Sequence, residues 1–258
     1  MLALDKTQIE RQFQRAAGSY DSAAQLQRQI FLQLCSYALS FIESPSSIAD
    51  LGCGTGFGLA TLRDQFADAN LVGVDISQAM LEQATQCCPD SELIKADMEA
   101  LPLLDAQFDM VVSSSSMQWC NPHAAISESS RILRPGGLLA VATFGPNTHR
   151  EWKTAWANAD ASERTLGFPN FEQIEEIFEA EKIDVMTSNE QLRVLSFDSI
   201  SEALQSVKNL GATNASKDRQ RGLMGKNRFN RFLQAFESGS AQPQLTYQIF
   251  FLVGQKQG

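Results

Sequence analysis

SIADLGCGTGFGLATL, residues 47–62, runs from a short apolar stretch through a cluster of glycines into a second apolar stretch. The first stretch predicts a strand that ends near Leu51, and the second predicts a helix that begins around Phe57. Every second residue of the turn between them is a glycine: Gly52, Gly54 and Gly56. Because glycine has no Cβ, this turn lets the backbone pass close to a ligand. The stretch therefore predicts the first β-α unit of an α/β fold, with a nucleotide-like ligand at its loop.

Strands and helices alternate downstream of this loop. The predicted elements are, in chain order, a strand at 71–77, a helix at 77–87, strands at 92–98 and 108–115, a helix at 122–133, a turn at the RPGG of 134–137 and a fifth strand directly after it. Alternation at this pace implies a mostly parallel sheet with right-handed crossovers and helices on both faces.

The flanking segments complete one predicted domain. Helical spacing of apolar residues predicts two helices over 9–41, interrupted near Gly18 and Ser19. Four further elements are expected after residue 145: a helix capped by Asn170, one strand or a short hairpin at 183–197, a helix that stops at Gly211, and a last strand at 245–256. We predict three parts within 1–258: an N-terminal helical cap at 1–44, a cofactor-binding core at 45–145, and substrate-side helices and C-terminal strands at 146–258.

The composition limits the function classes. The 258 residues are 43% hydrophobic, enough for one substantial core, and a net charge of −9 with a pI near 4.8 argues against a nucleic-acid partner. No uncharged apolar run approaches the ~18 residues that span a bilayer, and no apolar stretch follows a basic start, so neither a membrane partner nor secretion is expected. The cysteines lack paired metal-ligand spacing, which favours reduced thiols in the cytoplasm and no metal site: Cys35, Cys53, Cys87, Cys88 and Cys120.

An acidic residue stands at the entrance of the glycine loop. Asp50 lies two residues before Gly52, so the order is D-x-G-x-G-x-G rather than the G-x-G-x-x-G of dinucleotide-binding proteins. A carboxylate here would repel a pyrophosphate and attract the ammonium and sulfonium groups of S-adenosylmethionine. The loop therefore favours S-adenosylmethionine as the cofactor. A nicotinamide dinucleotide site and a tight turn without a ligand are the alternatives.

Two more carboxylates follow predicted strands. Asp75 stands 19 residues after Gly56, the distance at which an acid accepts both hydroxyls of a ribose. Asp97 follows the third strand, where it would meet the adenine amino group beside Met98. For each carboxylate alone, a solvated loop position is the alternative. The candidate cofactor-binding residues are Asp50, Gly52, Cys53, Gly54, Gly56, Asp75, Ile76, Asp97, Met98 and Ser113.

The glycine loop, the phased carboxylates and the RPGG turn together resemble the class I methyltransferase superfamily over residues 48–145. The resemblance implies a Rossmann-like α/β sheet of seven strands whose last strand is antiparallel, with N-terminal helices and a helical insertion before that strand. The apolar strand expected at 245–256 suits the last position.

Motifs along nearly the whole chain resemble one family of that superfamily. They are F-x-x-A-A-x-x-Y at 13–20, Gln118-Trp119-Cys120, T-F-G-x-x-T-x-x-E-x-x-x-A-W at 143–156, Lys208 with Gly211-Ala212, Gly222-Leu223, and Leu245-Thr246-Tyr247. The combination is similar to the malonyl-acyl-carrier-protein O-methyltransferases of biotin synthesis. The resemblance implies methyl transfer from S-adenosylmethionine to the free carboxylate of a malonyl thioester, on an acyl carrier protein or on coenzyme A.

Recognition of that carboxylate needs donors but no strong base, because a carboxylic acid with a pKa near ~4 is already ionised at neutral pH. Tyr20 and Trp119 are the catalytic candidates, as a hydroxyl donor and as a wall of the transfer channel; buried core aromatics are the alternative. Arg150 and Lys208 are the substrate-binding candidates, against solvated surface groups. The two histidines are expected to be bystanders.

Basic residues concentrate at 205–235. This segment carries a net charge of +6, whereas the rest of the chain carries −15. Such a reversal suits an acidic partner such as an acyl carrier protein; a solvated helix face and an RNA contact are the alternatives. The candidate partner-binding residues are Arg219, Arg221 and Arg228.

Two other functions stay open on the sequence. One is methylation of a small free carboxylic acid or a quinone, which would not need a basic docking face. The other is a non-catalytic methyltransferase-like assembly factor, and the intact loop glycines and carboxylates speak against a lost cofactor site.

Overall fold

Seven strands form one mixed sheet in the computed structural model, which describes residues 4–160, 167–209, 226–237 and 242–258. The strands are β1 (Ser47–Leu51), β2 (Asn70–Asp75), β3 (Glu92–Lys95), β4 (Phe108–Ser114), β5 (Leu133–Phe144), β6 (Ile183–Ser196) and β7 (Gln244–Lys256). Their order across the sheet is β3-β2-β1-β4-β5-β7-β6. β1 to β5 pair in parallel, and β7 runs antiparallel to both β5 and β6. The predicted seven-stranded Rossmann-like sheet with an antiparallel last strand is confirmed.

Helices cover both faces of the sheet. They are α1 (Lys6–Ala23), α2 (Gln25–Ala38), α3 (Phe57–Gln65), α4 (Gln78–Cys87), α5 (Pro122–Ile132), α6 (Arg150–Asp160), α7 (Phe171–Ala180), α8 (Ile200–Asn209) and α9 (Lys226–Glu237), with a 3₁₀ turn at Met117–Trp119. α8 and α9 form the helical insertion predicted before the last strand. Asn170 caps α7 as predicted, since it exchanges hydrogen bonds with Gln173 in a capping box. In the described ranges, no helix has both the length and the apolar character needed to cross a bilayer.

The central strands bury side chains on both faces. All five residues of β1 are buried. In β4, Met110 and Val112 belong to an apolar cluster that includes Leu34 of α2. Val111, between them, belongs to a second cluster that includes Ile126 of α5. Because alternate residues of a strand point to opposite faces, each strand is held from two sides and its carboxyl end is fixed in place.

The predicted break near Gly18 and Ser19 is wrong, because α1 continues through both residues. The chain leaves helical geometry at Ala24, which is 2% exposed and has a φ of −88° and a ψ of 25°. A glycine inside a helix costs only about 1 kcal/mol relative to alanine. Burial of the neighbouring Ala16 and Ala17 holds this part of α1 against the protein. α1 is therefore one helix of 18 residues.

The predicted RPGG turn at 134–137 is also wrong, because these residues lie inside β5. The pairing of β5 with β4 shifts register between Phe108 and Met110, and Gly136 has a φ of 78°. Extra residues on one strand of a pair produce such a bulge, in which a glycine adopts the left-handed conformation at little cost.

Three other predicted boundaries have different outcomes. β3 ends at Lys95 rather than at Met98, so the residues that follow form a loop. The alternatives for 183–197 resolve to a single strand, β6. The predicted helix end at Gly211 lies outside the described residues, in which α8 ends at Asn209.

A substitution at Gly58 tests how tightly α2 and α3 pack against β1. A Cβ at this position would lie 2.4 Å from Oδ2 of Asp50 and 2.6 Å from the ring of Phe31. We therefore expect Gly58→Ala to lower the free energy of unfolding by about 1–3 kcal/mol in a urea titration. The control is Gly18→Ala, where nothing lies within 4 Å of the added Cβ and stability should rise by about 0.5–1 kcal/mol. An unchanged midpoint for Gly58→Ala would contradict this packing.

Candidate functional site

A cleft opens at the carboxyl ends of the central strands, and α1 lies across it. The cleft encloses about 610 Å³, its open mouth included. Its lining residues are Lys6, Ile9, Phe13, Tyr20, Gly52, Gly54, Val74, Asp75, Ile76, Met80, Ala96, Asp97, Met98, Ser115, Ser116, Trp119 and Cys120. Ligands of open α/β sheets bind at this edge.

Hydrogen bonds to the end of β2 hold the glycine loop. The N–H of Gly52 donates to the carbonyl of Val74 at 2.7 Å, and the N–H of Gly54 donates to Oδ2 of Asp75 at 3.0 Å. Gly52 has a φ of 80°, and a Cβ there would lie 2.3 Å from Oγ of Ser116. Glycine is therefore required at this position, and the loop brings bare backbone to the cleft.

Two carboxylates give this end of the cleft its electrostatic character. Asp75 accepts hydrogen bonds from the N–H groups of Gly54 and Ser77, but burial outweighs them and raises its pKa to about 6. Asp50 is 3% exposed, and burial, followed by the charge of Asp75, raises its pKa to about 7. Because a nearby cation would favour both ionised forms, this end of the cleft attracts a positively charged ligand.

Aromatic side chains form another part of the cleft wall. Trp119 is 9% exposed, and its ring meets the edge of Phe13 with centroids 5.5 Å apart. Tyr20 lines the cleft from α1, and burial raises its pKa, so its hydroxyl stays protonated at neutral pH. One turn of α1 is tied to the glycine loop, since Oγ1 of Thr55 donates to Oδ1 of Asp21 at 2.7 Å.

The structure brings eight of the twelve predicted catalytic and cofactor-binding residues together at the cleft. Those that line the cleft are Tyr20, Trp119, Gly52, Gly54, Asp75, Ile76, Asp97 and Met98. Those that do not line it are Asp50, Cys53, Gly56 and Ser113. Ser113 is buried in β4, where its hydroxyl donates to the carbonyl of Leu51 at 2.9 Å. Ser115 and Ser116 line the cleft instead, just beyond the end of that strand.

The basic candidates that the structure describes do not line the cleft. The Arg150 side chain is 57% exposed and pairs with the adjacent glutamate at 3.2 Å. Lys208 is exposed in the last turn of α8, and Arg228 is half-buried on α9. Arg219 and Arg221 lie outside the described residues. The roles of these five residues stay predictions.

Several residues that line the cleft were not predicted from the sequence as ligand contacts. Ile9 and Phe13 stand one turn apart on α1, and Tyr20 follows two turns later, so their spacing marks one face of a helix. The spacing predicts a helix, and of these three residues the sequence singles out only Tyr20 as a catalytic candidate. Lys6 and Met80 also line the cleft, and no local pattern singled them out.

Neither histidine belongs to the cleft lining. Burial, followed by the charge of Lys153, lowers the pKa of His149 to about 4, so this ring is neutral at physiological pH. In the part of the chain that the structure describes, no three or more histidine, cysteine and acidic side chains group closely enough to hold a metal ion.

The sheet, the glycine loop after β1 and the acid-lined cleft define a class I methyltransferase, an enzyme that depends on S-adenosylmethionine. Residues 49–141 match the family model of a methyltransferase domain. A geranyl diphosphate C-methyltransferase from Streptomyces coelicolor, solved with S-adenosyl-L-homocysteine, has a similar structure with a TM-score of 0.53. It is 14% identical, and the match covers 87% of this chain and 78% of that one.

Relatives that match nearly the whole chain narrow the class to a family. A malonyl-[acyl-carrier protein] O-methyltransferase from Dechloromonas aromatica is 34% identical over 254 residues, which cover 97% of this chain and 95% of the relative. A protein with the same description from Hahella chejuensis is 35% identical, with coverages of 91% and 84%. The chain belongs to the malonyl-[acyl-carrier protein] O-methyltransferase family, which confirms the predicted membership.

The raised pKa of Asp50 predicts how the stability of the ligand-free protein depends on pH. The folded chain binds this proton more tightly than the unfolded chain, so the stability gained from it is lost as pH rises from 3.8 through about 7. Asp50→Asn removes the buried charge and should raise the free energy of unfolding by roughly 2–4 kcal/mol at pH 8, with almost no effect near pH 4. Urea titrations at both pH values measure the difference.

Asp109→Asn is the control with the opposite sign. Burial opposes ionisation of Asp109, but hydrogen bonds from Ser46 and Arg134 prevail and lower its pKa to about 2. Its contribution is present above pH 3.8 and is lost as pH falls through about 2, so Asp109→Asn should destabilise at neutral pH. An Asp50→Asn effect of the same size at both pH values would contradict the burial of its charge.

Proposed function

We propose that the chain transfers the methyl group of S-adenosylmethionine to the free carboxylate of malonyl-acyl carrier protein, and that the ester enters biotin synthesis. The observation that carries the proposal is the extent of the similarity, since the Dechloromonas relative matches 97% of this chain, including parts beyond the methyltransferase domain at 49–141. Substrate choice depends on such flanking parts rather than on the fold. The five cysteines are free, which suits a reducing cytoplasm.

The chemistry of the cleft fits S-adenosylmethionine as the methyl donor. Asp75 offers carboxylate oxygens for the ribose hydroxyls, and Asp97 offers one for the adenine amino group. Gly52 and Gly54 let the ligand approach the backbone, while Asp50 adds negative charge behind the loop. When bound, this donor supplies a methyl group on a positively charged sulfur.

The acceptor side needs alignment rather than a base. A malonyl carboxylate with a pKa near ~4 is ionised at neutral pH, so an O–CH₃ bond forms as the S–CH₃ bond breaks and no proton has to move. Tyr20 would donate its hydroxyl to one carboxylate oxygen and leave the other free to attack. The raised pKa of Tyr20 keeps that donor protonated. Trp119 and Phe13 supply an apolar wall that excludes water from the reacting groups.

The basic segment at 205–235 would receive the acidic carrier protein. α8 and α9 contact each other, and the basic residues of the segment in the described ranges are Lys208, Lys226, Arg228 and Arg231. Complementary charge would speed encounter and orient the carrier so that its prosthetic arm reaches the cleft. Malonyl coenzyme A would not require this surface. A change that weakens docking alone should therefore slow methylation of malonyl carrier protein and leave methylation of malonyl coenzyme A unaffected.

Transfer of radiolabelled methyl groups to a panel of acceptors tests the proposal. The panel consists of malonyl-, succinyl- and acetyl-loaded acyl carrier protein, malonyl coenzyme A and free malonate. We expect a base-labile methyl ester on malonyl carrier protein and none on the acetyl form, which has no free carboxylate. Labelling of free malonate in preference to the carrier-bound acid would instead favour a small-acid methyltransferase. Cofactor binding without any labelling would favour a non-catalytic role.

Tyr20 and Asp75 should have separable effects on catalysis and on cofactor binding. Tyr20→Phe should lower kcat at least tenfold and leave the Kd for S-adenosylhomocysteine within about twofold, since it removes one donor to the acceptor. Asp75→Ala should weaken that Kd by about 1–3 kcal/mol through lost ribose contacts. Calorimetry and steady-state kinetics on both variants measure these values. Equal losses of kcat and affinity in Tyr20→Phe would refute its acceptor-side role.

Charge reversal tests the docking surface. The triple change Arg219→Glu, Arg221→Glu and Arg228→Glu should lower kcat/KM for malonyl carrier protein at least tenfold and leave that for malonyl coenzyme A nearly unchanged. The matched control is Lys182→Glu, at an exposed position beside the start of β6 and therefore at the end of the sheet opposite the cleft. Equal losses with both acceptors, or the same loss in the control, would contradict specific docking.

A further inference from the structure

A lysine at the start of α1 reaches into the cleft and joins two acids. Nζ of Lys6 lies 2.9 Å from Oδ1 of Asp97 and 2.5 Å from Oε1 of Glu99. The three side chains are between 26% and 31% exposed. Lys6 and Asp97 line the cleft, whereas Glu99 stands behind them and also accepts the N–H of Asn121 at 2.8 Å. The lysine is therefore part of the site and not a surface ion pair remote from it.

The two carboxylate oxygens of Asp97 differ in their hydrogen bonds. Oδ1 accepts from Nζ of Lys6 and from the N–H of Glu99, at 2.9 and 3.1 Å. Oδ2 accepts no hydrogen bond from any residue that the structure describes. Two donors on one oxygen fix the rotation of the carboxylate, so the other oxygen is presented in a defined direction to whatever occupies the cleft.

The ammonium group of Lys6 also offsets the repulsion between the neighbouring carboxylates of Asp97 and Glu99. Without it, the carboxylates of Asp97 and Glu99 would repel each other beside a partly desolvated cleft. Burial opposes the charge on Lys6, but its hydrogen bonds with Glu99 and Asp97 prevail and raise its pKa. Lys6 consequently carries a full positive charge throughout the physiological range.

We infer that Lys6 is a positioning residue for adenine recognition: it holds Asp97 so that Oδ2 accepts the 6-amino group and rejects a purine with an oxygen at that position. This inference rests on the proposed use of the cleft for S-adenosylmethionine. A fixed carboxylate oxygen gains a hydrogen bond from an amino group but faces a second acceptor when the base is 6-oxo, so the two ligands differ strongly in affinity. A freely rotating carboxylate could turn away from the oxo group and would discriminate less.

A purely structural role for Lys6, as a clamp that holds α1 to the sheet, makes a different prediction. The chain supplies a matched control in Lys95, which pairs with Glu10 of α1 at 2.6 Å and does not line the cleft. Both lysines join α1 to the segment around β3. Only Lys6 touches the acid assigned to adenine, so loss of either lysine loosens α1 but only one loss frees Asp97.

The experiment compares S-adenosylhomocysteine with S-inosylhomocysteine, in which an oxo group replaces the 6-amino group. Dissociation constants are measured by calorimetry for the unchanged protein, Lys6→Met, Lys6→Arg and Lys95→Met, with thermal unfolding recorded for each. The unchanged protein should prefer the adenine ligand by about 100-fold or more. Lys6→Met should cut this preference roughly tenfold, and Lys6→Arg should restore most of it. Lys95→Met should leave the preference unchanged.

The experiment distinguishes failure of the proposed function from failure of the role proposed for Lys6. If the unchanged protein does not bind S-adenosylhomocysteine, the proposed function fails and the role of Lys6 fails with it. If the protein binds this ligand but Lys6→Met weakens both ligands equally, as Lys95→Met would do, the cofactor site stands and the positioning role of Lys6 is overturned.

Discussion

The hydrogen bond from the Gly54 N–H to the Asp75 carboxylate is the interaction on which the rest of the site depends. It ties the loop after β1 to the end of β2, the strand beside it, while the second oxygen of Asp75 accepts the N–H of Ser77 before α4. One half-buried carboxylate thus orders the loop and the entry to the next helix. Because the same oxygens are the ribose acceptors in our proposal, cofactor binding and loop order are physically coupled.

α1 converts the open edge of the sheet into an enclosed cleft. It is tied on one side through Lys6 to Asp97 and on the other through Asp21 to Thr55. Between these ties it contributes apolar side chains and Tyr20 to the wall. Methyl transfer to a carboxylate needs little acid or base chemistry, so enclosure and alignment are the main contributions this protein has to make.

The sequence predicted those features that depend on neighbours in the chain. The glycine loop, the alternation of strands and helices that follows it and the cap at Asn170 each have a local signature, and all are present. The helix break at Ala24 lacked such a signature, and the RPGG at 134–137 indicates a turn where the structure has a bulge inside β5. Tertiary packing decides where a helix ends and where a strand shifts register. The partner of Lys6, Asp97, lies 91 positions away, so no local pattern could reveal their contact.

The central claim is that desolvated carboxylates make the cleft favour a positively charged cofactor. Proton exchange on binding S-adenosylmethionine tests this claim most directly. Titration calorimetry at pH 6.5 in buffers of different ionisation enthalpy measures the number of protons exchanged. The raised pKa values of Asp50 and Asp75, about 7 and about 6, predict net proton release on binding and little release at pH 8.5. Tight binding without proton release at pH 6.5, or no binding, would contradict the account.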